Sequence, residues 1–224
     1  LTNNFANLAK VAGGDWNRVK EGILADTRIG KFVNSSPGFG GSCFEKDVEQ
    51  LTHTFEQYDV DCTLLKEVLR QNKIQKQLLA KRIKGKLGDL KGKTIAVWGL
   101  AFKAETDDMR GAPSIPLIEG LIEAGAKIRA YDPVAVNESR KVFGNFEKKD
   151  SICYTEDKYS ALEGSDALAI VTEWKEFVSA DLTRVKQLLR QPVIFDGKDL
   201  FKSEEILRYG FYYSSIGKPD IRSQ

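Results

Sequence analysis

The residues with the clearest capacity for chemistry lie in one short stretch, PGFGGSCFEKD, residues 37–47. Gly38, Gly40 and Gly41 let the backbone approach a ligand closely, because no Cβ stands in the way. Cys43 follows where a helix is expected to begin, and the free N–H groups and dipole of a helix start favour a thiolate. Lys46 adds positive charge, and Asp47, four residues on, shares the helix face of Cys43. A thiolate beside a carboxylate suits covalent catalysis with a partner that moves protons or activates water. Taken by itself, the stretch equally describes a buried structural cysteine beside a tight loop, since free cysteines are commonly buried. The other cysteines, Cys62 and Cys153, are assigned to packing. An odd count of three without framework spacing argues against a disulfide scaffold and for a reducing compartment. The one histidine, His53, gives little support for a histidine metal site or a Ser/His/Asp triad, and no metal is expected.

The elements that must position this stretch can be read from hydrophobic period. Phe5, Leu8, Val11 and Ala12 share a helix face, GGDW interrupts it, and Asp15 can cap a second helix through Val19 and Ile23. Residues 28–42, dense in Gly, Ser and Pro, form a loop. Ser42 or Cys43 opens a helix carrying Asp47, Val48, Leu51, Thr54 and Phe55. Thr63 begins a long helix to about Gly85, with Leu64, Leu65, Val68, Leu69, Ile74, Leu78, Leu79 and Ile83 near a 3.6 period. Gly85, Gly88 and Gly92 end it and form a linker. From Lys93 the pattern becomes strand, helix, strand: TIAVWGL, a helix from Pro113 to Gly125, then AKIRAYDP. Short helices near 134–142 and 160–163, the strand DALAIVT, a helix near 181–190 and the strands PVIFDG and FYYSSIG complete the order. This predicts an α/β chain: a helical region over residues 1–90, then a Rossmann-like, doubly wound parallel sheet over 91–224.

Composition excludes several classes. Hydrophobic content of 42% and charged content of 29% are ordinary for a globular protein. A net charge of +2, from 34 basic and 32 acidic side chains, is too balanced for a nucleic-acid or membrane-surface partner. No apolar run approaches the roughly 20 residues of a membrane span. The start, LTNNFANLAK, lacks the plan of a signal peptide and reads as the middle of a helix, so a fragment of a longer, cytoplasmic protein is expected.

GFGGSCFEKD resembles the active-site signature of the UDP-glucose/GDP-mannose dehydrogenase family, usually GFGGSCFPKD. RIGKF, GLAFKAETDDMRGAPS, YDPVA, TEWKEF and FDGKDLF extend the resemblance in the family's order across essentially the whole chain. The resemblance implies oxidation of a nucleotide sugar's primary alcohol to a carboxylate in two hydride transfers to NAD, with UDP-glucose the expected substrate. Cys43 matches the cysteine that captures the aldehyde as a thiohemiacetal and carries the later thioester; Asp47 matches an aspartate that assists proton movement. Asn34, Ser35, Ser36, Pro37, Gly38, Phe39 and Gly40 match the stretch that wraps sugar and pyrophosphate. Phe102, Lys103 and Lys198 match further substrate contacts, and a cation such as Lys103 at a strand end suits a pyrophosphate in its own right. Arg28 matches an arginine that reaches a neighbouring subunit's substrate site. Lys46 and Arg110 match positions near the cofactor. A homodimer paired through central helices is implied.

Without the resemblance, Arg28 reads as a helix-end charge, and Lys103 and Arg110 as part of a solvated run with Glu105, Asp107 and Asp108. Trp174 reads as a packing residue and His53 as a surface one. The chain departs from the family pattern at Glu45, where many relatives have proline, and at Lys198, where DGKD replaces the usual DGRN. Lysine keeps the charge of arginine but loses its planar fork. The family's dinucleotide loop, GxGxxG, does not occur among these residues; WGLAF follows a strand but lacks the pattern. The chain alone is therefore not expected to turn over. A GDP-mannose enzyme and a non-catalytic nucleotide-sugar-binding or assembly module are the alternative readings.

Overall fold

Strands rich in Val, Ile and Ala build the centre of the molecule. In a computed structural model, which describes residues 1–31 and 33–222, the strands are β1 (Thr94–Trp98), β2 (Lys127–Tyr131), β3 (Ile152–Tyr154), β4 (Ala167–Ile170), β5 (Val193–Asp196) and β6 (Tyr212–Ser215). They form one sheet in the order β3-β2-β1-β4-β5-β6 with every neighbouring pair parallel. This is the doubly wound, Rossmann-like order, with its switch point between β1 and β4.

Alternation along β1 divides the core into two faces. Ile95 and Val97 join a cluster with Leu117 and Ile118 of α5 (Ser114–Glu123) and Phe143 of α6 (Val136–Glu147). Ala96 and Trp98 join another, with Phe177 of α7 (Lys175–Val178), Val185 of α8 (Leu182–Leu188) and Ile206 of α9 (Ser203–Tyr209). Trp98 stacks on Phe177 with ring centroids 5.1 Å apart.

The first part of the chain is helical: α1 (Thr2–Val11), α2 (Trp16–Leu24), α3 (Phe44–Gln57) and α4 (Thr63–Leu87). Asp15 caps α2, its side chain accepting from the Asn17 amide at 2.8 Å. Residues 33–42 are irregular, as the Gly, Ser and Pro content predicts; Phe32, within the expected loop, lies outside the described residues.

Several expectations change. The apolar face of α1 lies exposed at Phe5, Leu8 and Val11, whereas Ala6 on another face is buried against Trp16 and Ile216. Gly85 does not end α4; the helix runs through it to Leu87 and stops at Gly88, whose φ of 71° lies in the left-handed region. The apolar stripe of α4 is buried only in its later half. Leu64 and Ile74 are exposed, while Leu79, Ala80 and Ile83 enter the cluster beneath the sheet as α4 packs along α5. Leu51 of α3 is likewise exposed; Val48 and Thr52 are its buried residues. Residues 160–163 are turns rather than a helix, and Gly164, with φ 68°, closes them before a helical ladder can propagate. The strand β3 and the helices α7 and α9 were not anticipated; at three, four and seven residues they are too short to establish a period. Cys153, on edge strand β3, is exposed rather than packed, while Cys62 is buried. Both are free thiols, as is Cys43.

Candidate active site

Cys43 is the N-cap residue of α3, and its side chain is exposed. The reading of a buried structural cysteine therefore does not hold. Its sulfur lies 3.4 Å from Ser42 Oγ, and its carbonyl accepts from the Asp47 amide at 2.8 Å, closing the first turn. Asp47 is thus one turn above Cys43, exposed like its neighbour Lys46.

The preceding loop is held by a polar stripe on α4. Asn72 grips the backbone of Phe39 at both ends: its Nδ2 donates to the Phe39 carbonyl at 3.0 Å, and its Oδ1 accepts from the Phe39 amide at 2.8 Å. Gln75 Nε2 donates to the Ser36 carbonyl at 2.8 Å, and its Oε1 accepts from Asn7 of α1 at 2.8 Å. Asn3 Oδ1 accepts from the Ser36 amide at 2.9 Å. An apolar face here would leave these loop groups unpaired, at about 1–3 kcal/mol each. This explains why Asn72 and Gln75 are buried polar residues in the middle of α4; the buried Lys76 beside them pairs instead with Glu45 of α3. Sequence reading missed all of them, along with Asn3. The available signal was the polar trio at i, i+3 and i+4 breaking an otherwise apolar helical period.

The glycines let this loop lock onto the one that follows β1. A Cβ at Gly40 would stand 2.3 Å from the Gly111 carbonyl oxygen and 3.1 Å from Phe102 Cβ. The Gly41 amide donates to the Arg110 carbonyl at 2.8 Å. Phe39 meets Phe44 edge-on, with centroids 4.8 Å apart. The structure thus brings Phe39, Gly40, Cys43, Phe102 and Arg110 together. Arg110 itself pairs with Asp108 through two contacts of 2.9 Å. That pairing makes the guanidinium hold its proton more tightly, and the field of a Cys43 thiolate adds to the effect. Asp108 is held below the usual carboxylate value, chiefly by the same hydrogen bonds. Lys103 is exposed, its ammonium 5.5 Å from the Phe102 ring centre.

A second cleft, of about 350 Å³, joins α2 to the end of β5 and is lined by Trp16, Asn17, Asn34, Ser35, Lys198 and Asp199, among others. Asn34 Oδ1 accepts from Lys20 Nζ at 3.1 Å. Lys198 is mostly buried and pairs with Glu173 at 2.7 Å. Its loop is fixed by the fully buried Asp196, which accepts from the amides of Lys198 and Leu200 and from the Tyr213 hydroxyl at 2.7–2.8 Å. Burial pushes the Asp196 carboxyl up despite these donors. Trp16 Nε1 and Asp199 Oδ1 are buried with no hydrogen-bond partner among the described residues. Pro37 packs against the same strand end: a Cβ at Gly197 would lie 2.5 Å from Pro37 Cγ. The loops after β1 and β5 both leave the carboxyl ends of their strands, where ligands bind in open α/β sheets. Arg28 stands apart, exposed and hydrogen-bonded among the described residues only to Asp26.

The loop after β1 does not fit a dinucleotide. The amides of Leu100 and Ala101, placed where a phosphate would be cradled, donate to Asp132 Oδ2 at 2.8 and 3.4 Å. Asp132 is buried and also accepts from Val134, Ala135 and the Trp174 indole, which it ties to the sheet.

Two domains of one family match in sequence order: the central domain of the UDP-glucose/GDP-mannose dehydrogenase family over residues 1–74, and its UDP binding domain over residues 96–203. The chain belongs to the UDP-glucose/GDP-mannose dehydrogenase family. It is 39% identical to the UDP-glucose 6-dehydrogenase TuaD of Bacillus subtilis over 98% of this chain and 47% of that protein. It is also 39% identical to a UDP-glucose 6-dehydrogenase of Pseudomonas aeruginosa, over 97% of this chain and 48% of the relative. A solved UDP-glucose dehydrogenase from Pyrobaculum islandicum superposes with a TM-score of 0.84 at 32% identity, covering 97% of this chain and 47% of that one. The chain spans about half the length of the curated relatives it matches. Within this family match, Arg28, residues 34–40, Cys43, Lys46 and Asp47 fall in the central domain, and Phe102, Lys103, Arg110 and Lys198 in the UDP binding domain.

Proposed function

We propose that this chain supplies the nucleophile and the nucleotide-sugar-binding part of an NAD-dependent UDP-glucose 6-dehydrogenase. The observation that carries this reading is the exposed Cys43 at the start of α3, with Asp47 one turn on and Phe102 and Arg110 on the facing loop. The sugar's C6 alcohol is first oxidised to the aldehyde. The Cys43 thiolate then adds to the aldehyde carbon, forming a C–S bond and a thiohemiacetal whose hydroxyl takes up a proton. Loss of that proton and of a second hydride from the same carbon leaves a thioester. Water, its proton passing to Asp47, attacks the thioester; the C–S bond breaks, and carboxylate and thiol are released. Two NAD molecules, bound in turn, would each accept one of the two hydrides. Lys46 and Arg110 would face the cofactor from this chain, but the loop after β1 gives it no phosphate cradle, because Asp132 occupies those amides.

The loop Asn34–Gly40 wraps the sugar and pyrophosphate, with Phe102, Lys103 and Lys198 closing the site. Lys198 reaches the nucleotide's charge only by sharing its ammonium with Glu173. The exposed stripe of Phe5, Leu8 and Val11 on α1 supports a homodimer paired through this helix, with Arg28 acting on the partner's site. Free thiols throughout suit a cytoplasmic setting. Among the described residues no helix is long and apolar enough to cross a membrane.

Calorimetry with UDP-glucose, UDP and GDP-mannose tests the substrate class. UDP-glucose and UDP are expected to bind, and GDP-mannose at least about tenfold more weakly, a difference of about 1.4 kcal/mol. Tighter binding of GDP-mannose would refute the assignment. The chain alone is expected to produce no NADH from UDP-glucose and NAD; steady production would show that the dinucleotide site is complete within these residues.

A further inference from the structure

Glu45 stands between Cys43 and Asp47, where the family signature usually carries proline. Proline would stiffen the first turn of α3 by fixing φ; glutamate does not. The structure holds a different constraint at that point. The Lys76 ammonium, mostly buried, lies 3.3 and 3.2 Å from the two carboxylate oxygens of Glu45. The lysine's stem runs against Gly38, where a Cβ would stand 2.7 Å from Lys76 Cγ. Across the site, a Cβ at Gly111 would lie 2.6 Å from Glu45 Oε2 and 3.6 Å from Lys76 Nζ. One ion pair therefore joins the loop before the nucleophile, the helix turn after it and the loop that follows β1. Among the described residues, Glu45 is the only carboxylate within 4.0 Å of Lys76.

We propose that Glu45 is a positioning residue for Cys43, acting through Lys76. The pair pins the first turn of α3 and balances the charge beside the thiolate. The proposal rests on Cys43 being the nucleophile. The charged groups on this helix turn and on the elements packed against it are Glu45, Lys46 and Asp47 on α3, Lys76 on α4, and Arg110 with its partner Asp108 on the facing loop, where Arg110 feels the Cys43 sulfur. Within this set Glu45 disfavours a thiolate and Lys76 offsets it. Removing one member of the pair therefore shifts the thiol one way, and removing the other shifts it the opposite way. A purely structural bridge, by contrast, would respond to either loss in the same sense.

The test is the pH profile of Cys43 alkylation by iodoacetamide, followed by peptide mass spectrometry on the 224-residue chain. Lys76→Met leaves Glu45 uncompensated; the profile moves to higher pH and the rate at pH 7 falls by about three- to tenfold, corresponding to a pKa shift of about half to one unit. Glu45→Gln moves it to lower pH, and the double variant returns to within about twofold of the parent. Lys76→Arg, which keeps the pair, retains the parent profile and serves together with Glu45→Gln if Lys76→Met does not fold. Equal-direction shifts in the two single variants, or falls in melting temperature with no movement of the profile, would overturn the proposal. If Cys43 in the parent reacts no faster than exposed Cys153, the assignment of the nucleophile fails instead, and that result is read before any variant is made.

Discussion

In the sheet, order comes from apolar side chains that alternate between two faces: Ile95 and Val97 on one, Ala96 and Trp98 on the other. In the Cys43 loop, order comes from side-chain amides on α1 and α4 that bind backbone groups of Ser36 and Phe39. Apolar burial is non-directional and adds up over many contacts. A hydrogen bond is directional, and costly chiefly when one partner is lost. The sheet can therefore absorb local change and still exist, whereas the position of Cys43 depends on a few atoms. Stability and site geometry are separate properties in this chain and respond to different substitutions.

The largest effect should come from the sheet. Phe143→Ala, at a fully buried position, is expected to lower stability by about 3–5 kcal/mol in urea unfolding, while the folded fraction keeps its Cys43 alkylation profile. A changed profile would break the separation. Asn72→Ala should cost less, about 1–3 kcal/mol, yet should raise hydrogen exchange at the Phe39 amide and alter Cys43 labelling. Unchanged exchange there would show that the clamp is not what orders the loop. Lys198→Arg restores the fork usual in the family and should tighten UDP-glucose binding by about three- to tenfold in calorimetry, or about 0.7–1.4 kcal/mol. Weaker binding would mean that Glu173 holds the longer side chain away from the ligand.

The smallest effects concern acid. The carboxyl of Asp108 is lowered, mainly by the Arg110 hydrogen bonds. Its contribution is present above the unfolded aspartate value of about 3.9 and is lost as pH falls through its lower folded value. That contribution is under about 1 kcal/mol, because Arg110 is exposed to solvent. Asp196 is raised by burial, so its protonated form persists in the folded chain, and stability falls as pH rises from about 3.9 toward its higher folded value. Urea titrations across acid pH should thus find that Asp108→Asn and Asp196→Asn change the slope of stability against pH with opposite signs. Slopes of the same sign would undo the assigned causes.

The strands β1, β4 and β5 were legible because they are short, mainly apolar runs between turn signals. The start of α3 was legible from its glycines and its change of period, and the later half of α4 from its leucines. The polar stripe was not. Asn72 and Gln75 interrupt a helical period, and the atoms they serve lie 33 and 39 residues upstream, beyond the reach of any local pattern. The three-residue edge strand carrying Cys153 was hidden for a different reason, having too few residues to alternate. Asp132 and Asp196 were visible within YDP and FDG, but nothing in those triplets says that Asp132 would collect five N–H donors, or Asp196 two backbone amides and the Tyr213 hydroxyl.

The helix α4 belongs to both regions at once. Its early buried residues grip the loop that carries the thiol, and Leu79, Ala80 and Ile83 fill the floor beneath the sheet. Severing the chain at residue 90 would bare the apolar side of α5 at Ile118 and Leu121 to water, so the nucleotide-binding fold cannot be excised cleanly at the glycine linker. Any exchange of UDP binding domains between relatives must carry this rod along, and with it the residues that hold the Cys43 loop.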